Sequence, residues 1–129
     1  DCIALGRREG LAPNLGNNAL IGTSPPPYRD WRWHTAGMSV GGPNFLILPS
    51  GSMIASGRQY NPKATGPKTF VGRMTLESVK AELILPSGGD CSYAGMVWHE
   101  GLLWTSYYST HEGKTAIYLA KIRLPGQKP

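Results

Sequence analysis

An all-β fold built from short antiparallel meanders is the class this sequence predicts, and three observations predict it. Glycine (17) and proline (11) are abundant for 129 residues and recur every few positions, which favours many short strands over helices. No window sustains a 3.6-residue apolar period through three turns. Parts of the chain also repeat one another at a spacing of about 50 residues, as modules of equal construction do. A hydrophobic content of 40% is enough for one domain with a real core.

The elements follow from apolar runs and the breakers between them. Residues 2–6 form a short apolar run that leaves into Arg7-Arg8-Glu9-Gly10, a strand entering a polar turn. Residues 19–23 form the next, stopped by Pro25-Pro26-Pro27, which cannot donate to a ladder. Residues 30–34 alternate aromatic with polar, the pattern of a half-buried outer strand, before Gly41-Gly42-Pro43 turns the chain. Residues 44–48 are almost continuously apolar, as in a strand buried on both faces. Pro49-Ser50-Gly51-Ser52 makes a hairpin to residues 53–58, and a loop over 59–67 leads to strands at 69–74 and 77–85. Two apolar runs joined by a tight turn then occupy residues 88–110, and residues 115–124 alternate as a last strand.

The internal repeat organises these strands. Phe45-Leu46-Ile47-Leu48-Pro49-Ser50-Gly51 aligns without a gap on Gly95-Met96-Val97-Trp98-His99-Glu100-Gly101, and Ala4-Leu5-Gly6-Arg7-Arg8 aligns on Ala55-Ser56-Gly57-Arg58-Gln59. Counting four strands to a unit, the chain reads second to fourth, first to fourth, then first to third. Repeated four-stranded meanders of about 40–50 residues are the signature of a β-propeller. The expected organisation is a partial blade at 1–40, a full blade at 41–87, a partial blade at 88–124 and a polar tail at 125–129. Three incomplete blades do not close a ring, since propellers have about four to eight. The expected remedy is a homo-oligomer or a missing N-terminal half, because open strand edges invite aggregation.

Composition excludes several functions. The net charge of +5 comes from dispersed Lys and Arg without interleaved aromatics, which is no footprint for nucleic acid. No run approaches a membrane span, and Cys2-Ile3-Ala4-Leu5 is too short for a signal segment. Cys2 in a strand and Cys91 in a distant loop are expected as free thiols. His34, His99 and His111 show no metal-ligand spacing, and no helix follows Gly41-Gly42-Pro43 to make a phosphate loop, so no metal or cofactor is expected. Trp31, Trp33, Trp98 and Trp104 are expected to pack between blades.

The chemistry-bearing stretch is residues 88–114. Adjacent antiparallel strands put the start of the first and the end of the second on one side, so Asp90, Ser92 and Tyr93 are expected near His111 and Glu112. Ile21-Gly22-Thr23-Ser24-Pro25-Pro26-Pro27-Tyr28, Gly41-Gly42-Pro43-Asn44-Phe45, Leu85-Pro86-Ser87-Gly88-Gly89-Asp90, Ser106-Tyr107-Tyr108-Ser109 and Ile117-Tyr118-Leu119-Ala120-Lys121, in that order, resemble the C-terminal half of bacterial sialidase-like (BNR-repeat) proteins. The resemblance spans nearly the whole chain and implies a six-bladed propeller in the parent protein.

It also implies roles. In sialidases an arginine triad holds the sugar carboxylate, a Tyr backed by a Glu is the nucleophile and an Asp is the acid/base. A guanidinium fork matches a carboxylate bidentately, and a neutral Tyr attacks the anionic sugar without charge repulsion. By this resemblance and by repeat position Arg58 and Arg7, with Arg8 competing for the place of Arg7, are triad candidates and Tyr93 is the candidate nucleophile; Asp90, in the turn before Tyr93, is read from its own place as a candidate acid/base. Tyr60, Tyr107 and Tyr108 are candidates to stack on a sugar ring, and His111 and Glu112 lie at the same end. Each has an ordinary reading beside it: an edge arginine in an ion pair, a rim tyrosine, a turn aspartate, a hairpin loop. The family's first-blade arginine motif, acid/base Asp and Tyr-activating Glu belong upstream of the matched region, and no Ser-x-Asp-x-Gly-x-Thr-Trp box is present. The expectation is therefore an acidic-sugar unit, hydrolytic only in an assembled ring, with a non-catalytic glycan-binding or structural fragment as the alternative.

Overall fold

A computed structural model describes residues 1–9, 17–60 and 62–127. The turn predicted at Gly10, part of the loop predicted over 59–67 and the last two residues of the tail lie outside the described residues. Ten strands form three antiparallel sheets, with no α-helix among the described residues. The first sheet holds β1 (Cys2–Gly6), β2 (Leu20–Ser24) and β3 (Arg32–Thr35). The second holds β4 (Gly41–Ile47), β5 (Met53–Gln59), β6 (Lys68–Met74) and β7 (Val79–Ile84). The third holds β8 (Cys91–His99), β9 (Leu102–Ser109) and β10 (Ala116–Ile122). Each strand pairs with its neighbour in the chain, and none of the sheets is closed.

Turn chemistry explains the joins. Glu100 and Gly101 take φ of 51° and 75° between the paired His99 and Leu102, the two-residue hairpin whose twist matches the strands it connects. Gly51 takes φ of 89° in the β4–β5 hairpin, closed by the Leu48 amide donating to Ser52. In the β6–β7 turn the Thr75 hydroxyl accepts from the amides of Glu77 and Ser78.

Alternation along the middle sheet buries both of its faces. Ala55 and Phe70 point into one cluster with Ile21, Val40, Met74 and Val79, against which Ile3 and Leu5 of β1 pack. Their chain neighbours Ile54 and Val71 point into a second cluster with Leu48, Leu85, Leu103, Tyr107 and Ile122. The three sheets are thus stacked in chain order, with a core on each side of the second.

Four expectations are corrected. Gly41-Gly42-Pro43 does not turn the chain but opens β4, with a bulge between Gly41 and Asn44 that accommodates both the φ of 54° at Gly42 and the missing donor of Pro43. β4 is not buried on both faces, because it is an edge strand and leaves Ile47 53% exposed. Cys91 lies in no loop but begins β8, fully buried; both cysteines are free. Trp31 and Trp33 do not pack between sheets: they stack on each other, ring centroids 5.4 Å apart, along the exposed β3 edge. Trp104 instead lies under the Lys121 ammonium, 4.8 Å from its ring, and only Trp98 joins a core cluster.

Candidate functional site

The site forms where the second and third sheets meet. Arg58 sits near the end of β5, opposite Gly41 on one side and Thr69 on the other. Its side chain is only 14% exposed and reaches across to the third sheet. Nε and Nη2 donate to the Cys91 carbonyl at 2.9 and 2.6 Å. Nη2 also meets Asp90 Oδ1 and the Tyr108 hydroxyl, each at 3.2 Å. Burial is the largest influence on this guanidinium and works against its charge. Hydrogen bonding to Tyr60, the neighbouring phenols and the Cys91 carbonyl outweigh it, so the Arg58 pKa is raised.

Tyr108 completes a triangle. Its hydroxyl donates to Asp90 Oδ1 at 2.6 Å, and this bond to a carboxylate is the main reason its pKa is raised, with burial and the Asp90 charge adding and Arg58 opposing. Asp90 is placed by its backbone: its amide donates to Thr110 Oγ1, whose hydroxyl and amide both reach the Gly88 carbonyl. Ser109 Oγ accepts from the Gly88 amide, so the loop before β8 is tied to the end of β9.

Tyr93 is presented by a bulge in β8 between Ser92 and Gly95, where Ser92 and Tyr93 take φ of 103° and 48°. The Asn44 side chain donates from Nδ2 to the Ala94 carbonyl at 2.9 Å and ties this bulge to β4. The Tyr93 ring is 62% exposed, stacks on Tyr108 at a centroid distance of 6.0 Å and lies over Gly42. A Cβ at Gly42 would sit 3.1 Å from that ring on a backbone of positive φ. Gly42→Ala is therefore expected to cost about 1–2 kcal/mol and displace Tyr93, seen as a lower urea midpoint and altered tyrosine fluorescence.

Arg7 and Arg8 lie at the same end but apart from the triangle. Arg7 forms an ion pair with Glu9 at 2.7 Å, and both arginines line a cleft of about 370 Å³ with Asn17, Ser39 and Tyr60. Tyr60 links the two regions, lining this cleft while its phenol lies beside Gly41 and helps raise the Arg58 pKa.

His111 and Glu112 belong elsewhere. Thr110 brings their loop to Gly88 and Asp90, but their side chains turn to the outer hairpin. His111 Nδ1 is 2.8 Å from Ser109 Oγ and its ring leans on Tyr118 at 4.9 Å. Glu112 accepts from the Tyr118 hydroxyl at 2.6 Å. That bond is the chief cause pushing the Tyr118 pKa from 10.0 up to about 12. A raised phenol pKa means the bond is fully present below pH 10 and fades as pH climbs through about 12. Ultraviolet titration should show a tyrosine ionising at about pH 12 that returns toward its ordinary range in Glu112→Gln.

Tyr107 offers no sugar platform: it is buried and its hydroxyl donates to the Pro86 carbonyl at 2.9 Å. The structure thus gathers Arg58, Asp90, Tyr108, Tyr93 and Tyr60, sets Arg7 and Arg8 in an adjoining cleft, and separates His111 and Glu112. Sequence reasoning missed Asn44 and the Cys91 carbonyl, the second of which is a backbone group and carries no residue-type signal. No group of three His, Cys, Asp or Glu able to hold a metal occurs among the described residues. No family, curated protein or solved structure matches this chain.

Proposed function

We propose that this chain is a saccharide-recognition unit of sialidase-like, β-propeller construction, with its site at Tyr93, Tyr108, Arg58 and Asp90. The observation that carries the reading is the exposed Tyr93–Tyr108 stack set directly beside a fixed Arg58–Asp90 pair. An aromatic face takes the apolar side of a pyranose ring, while a guanidinium and a carboxylate next to it exchange hydrogen bonds with ring substituents. The adjoining cleft, lined by Arg7, Arg8 and the Glu9 that pairs with Arg7, keeps a net positive charge, which favours an acidic sugar. The stacking of successive four-stranded or three-stranded meanders in chain order supports the propeller part of the reading.

Recognition is favoured over hydrolysis by one detail. The carboxylate at the site hydrogen-bonds Tyr108 and Arg58, and among the described residues no carboxylate hydrogen-bonds the Tyr93 hydroxyl. A tyrosine nucleophile needs such a partner to remove its proton. Isothermal titration with a sialylated trisaccharide and with its neutral counterpart tests the reading. Saturable binding, tighter for the acidic sugar and weakened at least about tenfold in Tyr93→Ala, is expected, an aromatic stack being worth at least about 1.4 kcal/mol here. A flat response to both sugars would overturn it, and turnover of a fluorogenic sialoside would replace recognition by catalysis.

A further inference from the structure

Among the described residues, each end sheet leaves one face uncovered. The third sheet packs on the second through Leu103, Tyr107 and Ile122. Its opposite face carries Ile117 and Leu119 of β10, Trp104 of β9 with the Lys121 ammonium laid over its ring, and Val97 of β8, neighbours by strand register. Ile117, Leu119 and Val97 are 77%, 61% and 59% exposed. Apolar residues on both sides of a strand are the pattern of a sheet covered on both faces.

The first sheet is the counterpart. Ile3 and Leu5 pack toward the second sheet, so alternation turns Ala4 and Gly6 outward, beside Gly22 and Trp33. That face is shallow, because its paired positions carry small residues and the Trp33 ring lies flat over Gly22. No charged side chain stands among those positions, so a second chain of net charge +5 meets no ionic barrier there. Protruding aliphatics on one end and a shallow uncharged face on the other are complementary in shape and polarity.

The exposed area points the same way. The chain exposes 7853 Å², whereas a compact monomer of 13.9 kDa exposes about 6,700 Å². The surplus, about 1,200 Å², exceeds the ~800 Å² each partner contributes to a standard interface.

We infer that the Ile117–Leu119–Val97 face docks on the Ala4–Gly22–Trp33 face of a second copy, and the second copy's on the first, closing two chains into one ring. A twofold axis satisfies both junctions at once, and a ring of six sheets falls within the about four to eight that closed propellers use. The inference rests on the stacked-sheet reading above but not on the sugar site.

Light scattering of the intact chain tests it. A concentration-independent mass of twice 13.9 kDa is expected, falling to half in Leu119→Asp and in Ala4→Glu with unchanged circular dichroism. Mixing the two variants restores one sound junction and should recover a dimer. A monomeric parent, a mass that grows with concentration, a dimer that survives Leu119→Asp, or a mixture that stays monomeric would overturn the inference. A monomer that still binds the acidic sugar removes ring closure alone, and a dimer that binds none removes the sugar site alone.

Discussion

Phe70→Ala is expected to lower the free energy of unfolding by about 3–5 kcal/mol, the usual cost of emptying an aromatic site that cannot collapse. Phe70 is fully buried at the centre of the first core cluster, where side chains from β2, β5, β6 and β7 meet. Its ring lies near the position of an absent Gly57 side chain, which Val40 and the Gly41 carbonyl also crowd, so the backbone cannot move in to fill the space. The hydrogen bond from Ser56 Oγ to the Phe70 carbonyl, 2.6 Å, survives the substitution, so the loss reports packing. Calorimetry should show a melting point lower by about 10–20 °C for a domain of this size. A loss below about 1 kcal/mol would mean that the first and second sheets are not joined through this residue.

Arg58→Ala is expected to cost about 2–3 kcal/mol and to abolish saccharide binding together. Truncation removes four hydrogen bonds at once and leaves the Cys91 carbonyl, at a fully buried residue, without its guanidinium partner. The stability term comes from that carbonyl and the 14% exposed guanidinium; the Asp90 end of the ion pair is solvated and contributes little. Arg58→Lys separates the effects, because one ammonium can neutralise Asp90 but cannot replace the fork that spans Cys91 and Tyr108. Urea titration of the three proteins should rank parent above Lys above Ala. Equal stability of parent and Arg58→Ala would show that the second and third sheets do not depend on this bridge.

The strands were legible because alternation and breakers are local signals. The alignment of residues 45–51 on 95–101 superimposes two real hairpins, and both turn glycines, Gly51 and Gly101, take positive φ. Gly41-Gly42-Pro43 misled because two glycines and a proline suit a bulge as well as a turn; what decides is the Tyr93 ring occupying the space beside Gly42, a contact across about fifty positions of sequence. The gathering of Arg58, Asp90, Tyr93 and Tyr108 was approachable from strand order, since adjacent meanders bring equivalent ends together. Which tyrosine meets the carboxylate was not. The β8 bulge rotates Tyr93 outward and leaves Tyr108, one strand further, to bond Asp90. The nearness of His111 and Glu112 to the site was overestimated for a similar reason: register brings the loops together, but Ser109 and Tyr118 capture those side chains.

The aromatic stack of Trp31 and Trp33 on the first sheet is the natural competitor for a sugar, being equally exposed and free of the Arg58–Asp90 pair. Mapping the ligand therefore tests the central claim most directly. In a titration of the labelled chain with a sialylated trisaccharide, followed by nuclear magnetic resonance, the ring signals of Tyr93 and Tyr108 and the side-chain Nε–H of Arg58 should shift together and saturate together. Shifts confined to Trp31 and Trp33, or none anywhere, would contradict the assignment of the site.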